Sequence, residues 1–285
     1  MKDEIMFSSF ILHPSSFPKS FMLRKYPTLL RASWSLMLEF RGEILLWMMS
    51  SAISLVMLVV WLSVAEDNNN SVNGFNGNDF VTYFLSSWAI RNLTAVWASW
   101  EMDSNVREGK LSPMLLRPMN PVHWDISQNL AEKALRAAIV LPVVILVMLF
   151  GPGLNIDWSL ANVLAFLVSI VGAWLILFWA DYLMGLSAFW TSQANAVITT
   201  WYGIRLILSG MVAPLVMFPA SLQTALLWLP FRYTNSFTVE IITGRMNGND
   251  LWFGFALQAF WALFFFCIAQ ITWKIALRNY SAVGA

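Results

Sequence analysis

Several ionisable side chains lie within long apolar stretches of the sequence, where a charge is costly and marks a candidate functional residue, and we select three of them as candidates. Arg91 and Arg205 fall near the middle of two such stretches, and Glu132 lies early in a third. A guanidinium that faces a path through a membrane would bind an anionic group of a transported molecule. The two arginines could instead pair with Glu132, with Asp181 or with backbone carbonyl groups and hold helices together. The sequence leaves both interpretations open.

The sequence lacks the motifs of several classes of enzyme. It contains no Gly-x-x-x-x-Gly-Lys-[Ser/Thr] stretch to bind ATP phosphates and no Gly-x-Ser-x-Gly stretch. His13 and His123 are far apart, and Cys267 is the single cysteine. No cluster of histidine, cysteine and carboxylate residues has the spacing of metal ligands. We therefore expect no catalytic residue, no metal site and no bound cofactor on this chain.

A charged loop, residues 101–118, follows the second apolar stretch and is a candidate docking site for a soluble partner. A short amphipathic helix there would be stopped by Pro118, and Pro113 would bend or interrupt it. A solvated loop that only reverses the chain is the alternative. The candidate coupling residues are Glu101, Asp103, Arg107, Glu108, Lys110, Leu111, Leu115 and Arg117.

The composition is that of an integral membrane protein. Of the 285 residues, 58% are hydrophobic and only 12% are charged, compared with about 25% charged residues in soluble proteins. The 17 basic and 16 acidic residues nearly cancel, so there is no overall field to attract nucleic acid. We therefore predict that lipid surrounds most of the protein surface.

Six apolar segments are long enough to cross a bilayer as helices, which need about 20 residues for a hydrocarbon core of roughly 30 Å. Tryptophans lie near several segment ends, where aromatic side chains favour the interface. The predicted fold is therefore all-α, with six transmembrane helices in one domain over residues 22–285. The six segments are residues 44–64, 80–100, 126–150, 160–181, 196–217 and 251–276.

The distribution of lysine and arginine predicts the orientation in the membrane. Basic residues precede the first span, follow the second and close the sixth, whereas residues 66–79 and 151–157 contain none. Cytoplasmic loops carry the excess of basic residues. We therefore expect both termini and the charged loop on the cytoplasmic side.

The chain before the first span has two parts. Residues 1–21 contain charges, two prolines and an apolar patch too short to span a membrane, so we expect a poorly ordered extension rather than a cleaved signal peptide. Residues 24–41 place Leu30, Trp34 and Met37 at helical spacing beside basic residues. This pattern predicts a helix lying in the cytoplasmic interface. A solvated segment leading into the first span is the alternative.

Two prolines bracket a short apolar stretch between the fifth and sixth spans, residues 219–230. Its central ten or so residues make roughly 15 Å of helix, which is too short to cross a bilayer. A re-entrant hairpin at the outer end of a pathway and a surface helix on the outer leaflet both fit this length.

Three motifs, in their order along six spans, resemble those of the permease subunits of type-2 ABC exporters. Residues 108–118, EGKLSPMLLRP, are similar to the Gly-x-Leu-x-x-x-Leu-Leu-Arg-Pro loop of one bacterial branch of that family. Residues 209–214, SGMVAP, followed by LPF at 229–231 and by Gly244, resemble its fifth-span and hairpin pattern. The ending RNYSAVGA at 278–285 is like its short C-terminus.

The resemblance implies a membrane subunit that works with partners. Two six-span subunits, identical or related, would form the pathway in a bacterial cytoplasmic (inner) membrane. Two separate ATP-binding subunits, which hold ATP and Mg, would dock on the charged loop and on the helix at 24–41 and would drive export. The chain itself would then not be an enzyme.

A self-sufficient channel or secondary transporter is the competing interpretation. Such proteins commonly show internal repeats or helices broken at matching positions of two halves. The sequence shows no convincing repeat. It does not identify a transported substrate.

Overall fold

The computed structural model describes residues 19–68, 71–151, 153–246 and 248–280, and this part of the chain is almost entirely helical. The predicted all-α membrane fold is confirmed at this level. Two short strands, β1 (Ser71–Val72) and β2 (Phe75–Asn76), form an antiparallel hairpin. The helices are α1 (Lys19–Glu39), α2 (Arg41–Ser50), α3 (Ile53–Asp67), α4 (Gly77–Thr94), α5 (Ala98–Arg107), α6 (Leu111–Leu115), α7 (Val122–Phe150), α8 (Leu160–Gly185), α9 (Ala194–Leu208), α10 (Ala220–Trp228), α11 (Ser236–Ile242) and α12 (Gly248–Asn279), with 3-10 helices at Leu186–Phe189, Leu215–Met217 and Arg232–Thr234.

Four helical segments of the described chain are long and apolar enough to cross a membrane. They match the predicted first, third, fourth and sixth spans, and the first of them is bent where α2 meets α3. Large apolar side chains on these segments are exposed, such as Leu46, Leu149 and Val168, as expected of helices that face lipid. The four segments are Arg41–Asp67, Val122–Phe150, Leu160–Phe189 and Gly248–Arg278.

The predicted second span is not one continuous helix, because residues 95–97 between α4 and α5 are not helical. Side chains from distant helices satisfy the carbonyl groups that this break leaves free. Nζ of Lys133 on α7 donates to the carbonyl of Ala95 at 2.7 Å, and the hydroxyl of Tyr202 on α9 donates to the carbonyl of Val96 at 2.9 Å. A break within a predicted membrane span is tolerated when its polar groups are paired within the protein, as they are here.

The predicted fifth span is shorter than expected. Helix α9 ends at Leu208 instead of continuing to Met217, and its 15 residues make only about 22 Å of helix. The chain turns at Gly210, which has a φ of +88°, and the Gly210 carbonyl accepts a 2.9 Å hydrogen bond from the Tyr83 hydroxyl. A β-carbon at Gly210 would lie 2.5 Å from that hydroxyl oxygen, so the turn requires glycine.

The β-hairpin forms the predicted outer loop between the first two spans. Its turn uses Asn73 and Gly74, both at positive φ, which is typical of a two-residue hairpin with the Asn-Gly sequence. Asn76 and Asp79 then start α4 as a reciprocal cap, because each side chain accepts a hydrogen bond from the other residue's backbone N–H at 3.0 Å. The hairpin therefore leads directly into α4.

The segment between α9 and α12 is held against α8 and α12 by hydrogen bonds. Nε2 of Gln258 on α12 donates to the carbonyl groups of Tyr233 at 3.1 Å and Ser169 at 3.0 Å. Nε1 of Trp261 donates to the carbonyl of Trp228 at the end of α10. A helix does occupy most of residues 219–230, and its entry into a membrane stays a prediction.

Helix α8 is the centre of the fold and packs against α12, α5, α11, α4 and α9. Its second half is almost completely buried, including Ile176, Phe178 and Asp181. Five other helices are therefore joined through this one helix.

Helix α1 packs along α7. The Tyr26 hydroxyl lies 2.6 Å from Nδ1 of His123, and Ser33 is fully buried. Trp34 and Leu38 are exposed, which leaves an apolar surface on a helix that also carries basic residues. The predicted helix is present, and its location in a membrane interface stays a prediction. Residues 1–18 of the predicted extension lie outside the described residues, and α1 begins at Lys19 within that extension.

Candidate functional site

The charged loop contains two short helices rather than the single helix that the sequence predicted. Gly109, at a φ of +69°, turns the chain between α5 and α6. Pro113 lies within the first turn of α6, where a backbone N–H has no partner inside the helix. The proline therefore fits into α6 without interrupting it, and glycine makes the bend.

Charged side chains of this loop pair with one another at the surface. Nε of Arg107 donates to Oδ1 of Asp103 at 2.6 Å, and Lys110 pairs with Glu108. The hydrogen bond from Lys110 holds the pKa of Glu108 below its usual range. The Lys110–Glu108 pair is exposed on both sides and contributes little to stability, so both residues can exchange partners for groups on another protein. Arg107 is exposed too, but its partner Asp103 is buried.

The leucines of the loop divide between the core and the surface. Leu111 is fully buried in this chain, and Leu115 is partly buried. The next residue, Leu116, is 88% exposed, and Arg117 beside it is exposed as well. Leu116 is therefore the apolar group that a partner could cover, whereas the sequence pattern predicted Leu111 and Leu115 as the coupling leucines. The Leu-Leu-Arg-Pro stretch contained it, but helical spacing alone could not say which leucine faces outward.

The start of α5 is bound to α8 by a buried carboxylate. Oδ2 of Asp181 accepts hydrogen bonds from the backbone N–H of Ser99 at 3.1 Å and from its hydroxyl at 2.9 Å. A negatively charged carboxylate also interacts favourably with the positive end of the helix dipole at a helix N-terminus. A β-carbon on Gly185 would lie 2.8 Å from Cα of Ser99, so the two helices touch through their backbones. The charged loop is thus rigidly coupled to the centre of the fold.

The tip of the loop is tied to the end of α12. The hydroxyls of Ser112 on α6 and Tyr280 lie 2.8 Å apart. The Tyr280 ring packs edge-on against Phe189, which in turn meets Trp273 on α12. A force on the tip would reach the last long helix as well as α8.

Two of the predicted coupling residues do not lie on the outer surface of the loop. Asp103 is buried, and Glu101 lines a cavity on the inner side of α5. Burial and then the nearby carboxylates of Asp125 and Glu132 raise the pKa of Glu101 from 4.5 to about 8. Glu101 is therefore largely protonated at neutral pH and belongs to the cavity.

Glu132 forms a buried ion pair with a neighbour on its own helix. Nε of Arg136 donates to Oε1 of Glu132 at 2.8 Å, and Nη1 donates to Oδ1 of Asn92 on α4 at 3.2 Å. Nε1 of Trp97 donates to the same Glu132 oxygen. The charge of Glu132 is thus satisfied by Arg136 and not by Arg91 or Arg205.

Arg91 and Arg205 are brought together, and neither has a carboxylate oxygen of the described residues within 4.0 Å, although Asp181 interacts electrostatically with Arg205. Both line one small cavity of about 30 Å³. Nη1 of Arg91 contacts only the sulfur of Met211, at 3.6 Å, and Arg205 lies over the Tyr202 ring, 4.7 Å from its centroid. Within the part of the chain that the structure describes, Nε of each arginine is buried without a hydrogen-bond partner.

A larger cavity of about 800 Å³ adjoins the small one. The two cavities share the lining residues Arg91, Trp47, Trp97 and Tyr202. Helices α1, α2, α4, α5, α7 and α9 contribute its walls. The walls are mostly aromatic and aliphatic, with Glu43, Glu101 and Glu132 among them. A cavity of this size and lining fits an amphiphilic molecule.

Charged groups at the far end of α4 form a separate cluster. Arg245 pairs with Asp79 at 3.3 Å and lies 3.7 Å from the centroid of the Phe75 ring. Asp79 and Arg91 belong to one helix and are about 18 Å apart along it at 1.5 Å per residue. Another cavity, of about 560 Å³, lies at this end, and the ion pair of Arg232 and Glu240 lines it.

In the described ranges, no group of three or more histidine, cysteine and carboxylate residues could hold a metal ion. The chemistry of the site is therefore that of charges, aromatic rings and an exposed loop.

Comparison with protein families gives one match that covers most of the chain. The model described as "ABC-2 family transporter protein" matches residues 49–284. No curated protein and no solved structure matches the chain significantly. The matched range includes the charged loop, the arginine pair, three of the four long apolar segments in full and residues 49–67 of the first.

Proposed function

Since the chain belongs to the ABC-2 family of transporter proteins, which makes it a multi-pass membrane protein, we propose that it is the transmembrane subunit of an ATP-driven exporter. It would form half of a translocation pathway and couple to a separate ATP-binding subunit. The chain has no phosphate-binding Gly-Lys-[Ser/Thr] motif of its own. ATP and Mg would therefore be held by the partner.

The observation that carries this proposal is the construction of the charged loop. Its outer surface offers Leu116, Arg107, Lys110 and Arg117, an apolar group surrounded by charges. Interfaces gain most of their binding energy from a few buried apolar or arginine anchors inside a polar rim. A soluble motor could hold this surface and pull on it.

Force applied to the loop would reach the helices that line the cavity. Ser99 binds Asp181 on α8, and Ser112 binds Tyr280 after α12. Helix α5 itself contributes Glu101 to the cavity wall. Closure of the motors around ATP would thus change the balance between two states of the pathway, because it stabilises one position of the loop over the other.

The orientation proposed from the charge distribution places both termini and the loop in the cytoplasm of a bacterium, with the pathway crossing the inner membrane. In this arrangement α4 together with the first residues of α5, up to residue 100, and α9 together with the following turn, would complete six spans. The segment of α10 would form a re-entrant hairpin on the outer side, and α1 would lie in the cytoplasmic interface. The exposed apolar residues of α1, including Trp34, support that last placement.

The pathway would be completed by a second permease subunit, either identical or a related chain. In one chain the cavity is lined by α1, α2, α4, α5, α7 and α9. Apolar side chains on α9, such as Ile204 and Ile207, are exposed in the single chain. Their exposure agrees with further contact to protein or lipid.

Purification of the chain from its native membrane in mild detergent, with mass spectrometry of the proteins that accompany it, tests the proposal. We expect an ATPase with a Walker motif at one copy per permease. The same data would tell an identical second permease from a related one. Recovery of the chain alone, still able to move a solute without ATP, would refute the exporter and favour a channel or secondary transporter.

A further inference from the structure

We infer that Arg91 and Arg205 together bind the acidic headgroup, a phosphate or a carboxylate, of an amphiphilic molecule whose apolar part occupies the 800 Å³ cavity. The inference rests on the proposed function only in treating this molecule as cargo. The binding site itself is a property of this chain.

The two guanidiniums form no close ion pair within the described residues. Arg205 is only 5% exposed, and neither it nor Arg91 forms an ion pair with any carboxylate that the structure describes. Arg205 is buried and Arg91 is partly buried, so their like charges repel each other, and an unpaired charge away from water is costly. An anion between them would remove both costs, and arginine is suited to bidentate binding of phosphate or carboxylate.

The cavity next to this pair has a wall rich in aromatic side chains. Trp47, Trp97 and Trp100 form part of its wall with Phe40 and Ile44. Such a surface takes up an acyl chain or an aromatic body. Apart from Arg91 and the aromatic residues, the polar part of the wall consists of Gln128, Thr199 and three glutamates. A ligand with its acidic end at Arg91 and its apolar end among the tryptophans satisfies both parts of the cavity.

The carboxylates of the cavity wall do not oppose this assignment. Glu132 is neutralised by Arg136. Burial raises the pKa of Glu101 to about 8, so that group is mostly uncharged at pH 7. Glu43 is exposed, and solvent and salt screen its charge. Asp181 on α8 interacts electrostatically with Arg205 and offsets part of its charge, whereas the charged neighbours of Arg91 are Arg205 and Arg136. The charge left uncompensated next to the apolar lining is therefore positive and lies mainly on Arg91.

An acidic headgroup could come from a membrane lipid bound permanently or from a transported molecule. The two sources share the same recognition chemistry. They differ in whether the ligand exchanges when the complete transporter hydrolyses ATP, and the test includes an arm for each.

The test measures binding to the purified chain in phosphatidylcholine nanodiscs, with empty nanodiscs subtracted. Dodecyl phosphate, dodecanol and dodecyltrimethylammonium serve as anionic, neutral and cationic probes of one chain length. We expect dodecyl phosphate to bind at least about tenfold more tightly than the other two, the size of one charge-assisted hydrogen bond. R91Q and R205Q should each reduce its affinity by about tenfold or more, and R91K should reduce it less because the charge is retained.

The matched control is R245Q, which removes an arginine at the other end of α4 without touching the cavity. It should leave probe binding unchanged. Tighter binding of the cationic probe by the wild-type chain would overturn the inference, and this comparison needs no variant to fold. Equal loss of affinity in R91Q and R245Q, both folded, would overturn it as well.

Two further measurements assign the source of the headgroup. An acidic phospholipid that copurifies with the wild-type chain and is lost from R91Q identifies a lipid site. ATP-dependent movement of dodecyl phosphate by the assembled transporter identifies cargo. Because the binding assay uses this chain alone, an absent motor subunit would refute the proposed function without affecting the test of the anion site.

Discussion

The carboxylate of Asp181 accepts two hydrogen bonds from Ser99, one from the backbone N–H and one from the hydroxyl, and so binds the first turn of α5 to the buried half of α8. Asp181 lies in an otherwise apolar helix, where an acidic residue is expensive unless it is paired. The charge is placed where it holds the helix that leads to the charged loop.

Replacement of Asp181 by alanine should destabilise the protein and weaken coupling. The Ser99 donors would lose their acceptor inside the fold, at a cost of about 1–3 kcal/mol. The midpoint of thermal unfolding in detergent should fall, and D181N should be milder because its amide oxygen can still accept. D250A, at an exposed acidic residue in the first turn of α12, is the control. Equal effects of D181A and D250A would contradict the role assigned to this contact.

Replacement of Gly185 by alanine should separate α5 from α8. The added β-carbon would lie 2.8 Å from Cα of Ser99 and 2.9 Å from Cβ of Met102, and backbone atoms cannot move aside without shifting the helix. Overpacking of this kind costs about 1–3 kcal/mol.

The control for this substitution is G203A on α9, where no atom lies within 4 Å of the added carbon. G203A should be neutral or slightly stabilising, because alanine favours a helix. Thermal unfolding of the two variants compares the sites directly. Combined with D181A, G185A should give less than additive losses, since both act on one contact.

The stability of the protein should depend on pH through Glu101. Its pKa is raised to about 8 in the folded protein, so the unfolded chain releases this proton at a lower pH than the folded chain does. The contribution of Glu101 to the free energy of unfolding is therefore constant below about pH 4.5 and falls as the pH rises from there to about 8.

The E101Q variant should lose this part of the pH dependence and become more stable than the wild type at pH 8. Unfolding midpoints measured from pH 5 to pH 8 test this. E108Q, at a surface carboxylate whose pKa is lowered, should keep the decline seen in the wild type. Parallel pH profiles for the wild type and E101Q would show that Glu101 does not titrate in this range.

Charge reversal on the charged loop should release the motor. R107E combined with K110E, and separately L116E, should reduce the amount of ATPase recovered with the chain while membrane insertion stays normal. The first variant changes the polar rim and the second buries a charge where an apolar anchor is expected. Both can be checked by quantitative mass spectrometry of the purified complex.

The control is E66K combined with D67K, exposed acidic residues at the end of α3 on the predicted outer side. This variant should retain the ATPase. Full recovery and normal ATP coupling with R107E/K110E and with L116E would exclude the loop as the docking surface.

The sequence by itself determined the solvent and the class of the protein. Length and apolarity identify four long helical segments correctly, because a helix that faces lipid satisfies its backbone within one continuous stretch. The same local logic located α10 between its prolines and α1 by its spacing of apolar residues. The motif from Glu108 to Pro118 pointed to the family that the matched model confirms.

Only the tertiary structure decided where helices break and which charges pair. The break at residues 95–97 depends on Lys133 and Tyr202 from other helices, so no local pattern predicts it. Glu132 pairs with Arg136, which leaves Arg91 and Arg205 facing one cavity. Hydrogen bonds and ion pairs between distant residues depend on packing, and the periodicity of a sequence records which residues are apolar but not which of them meet.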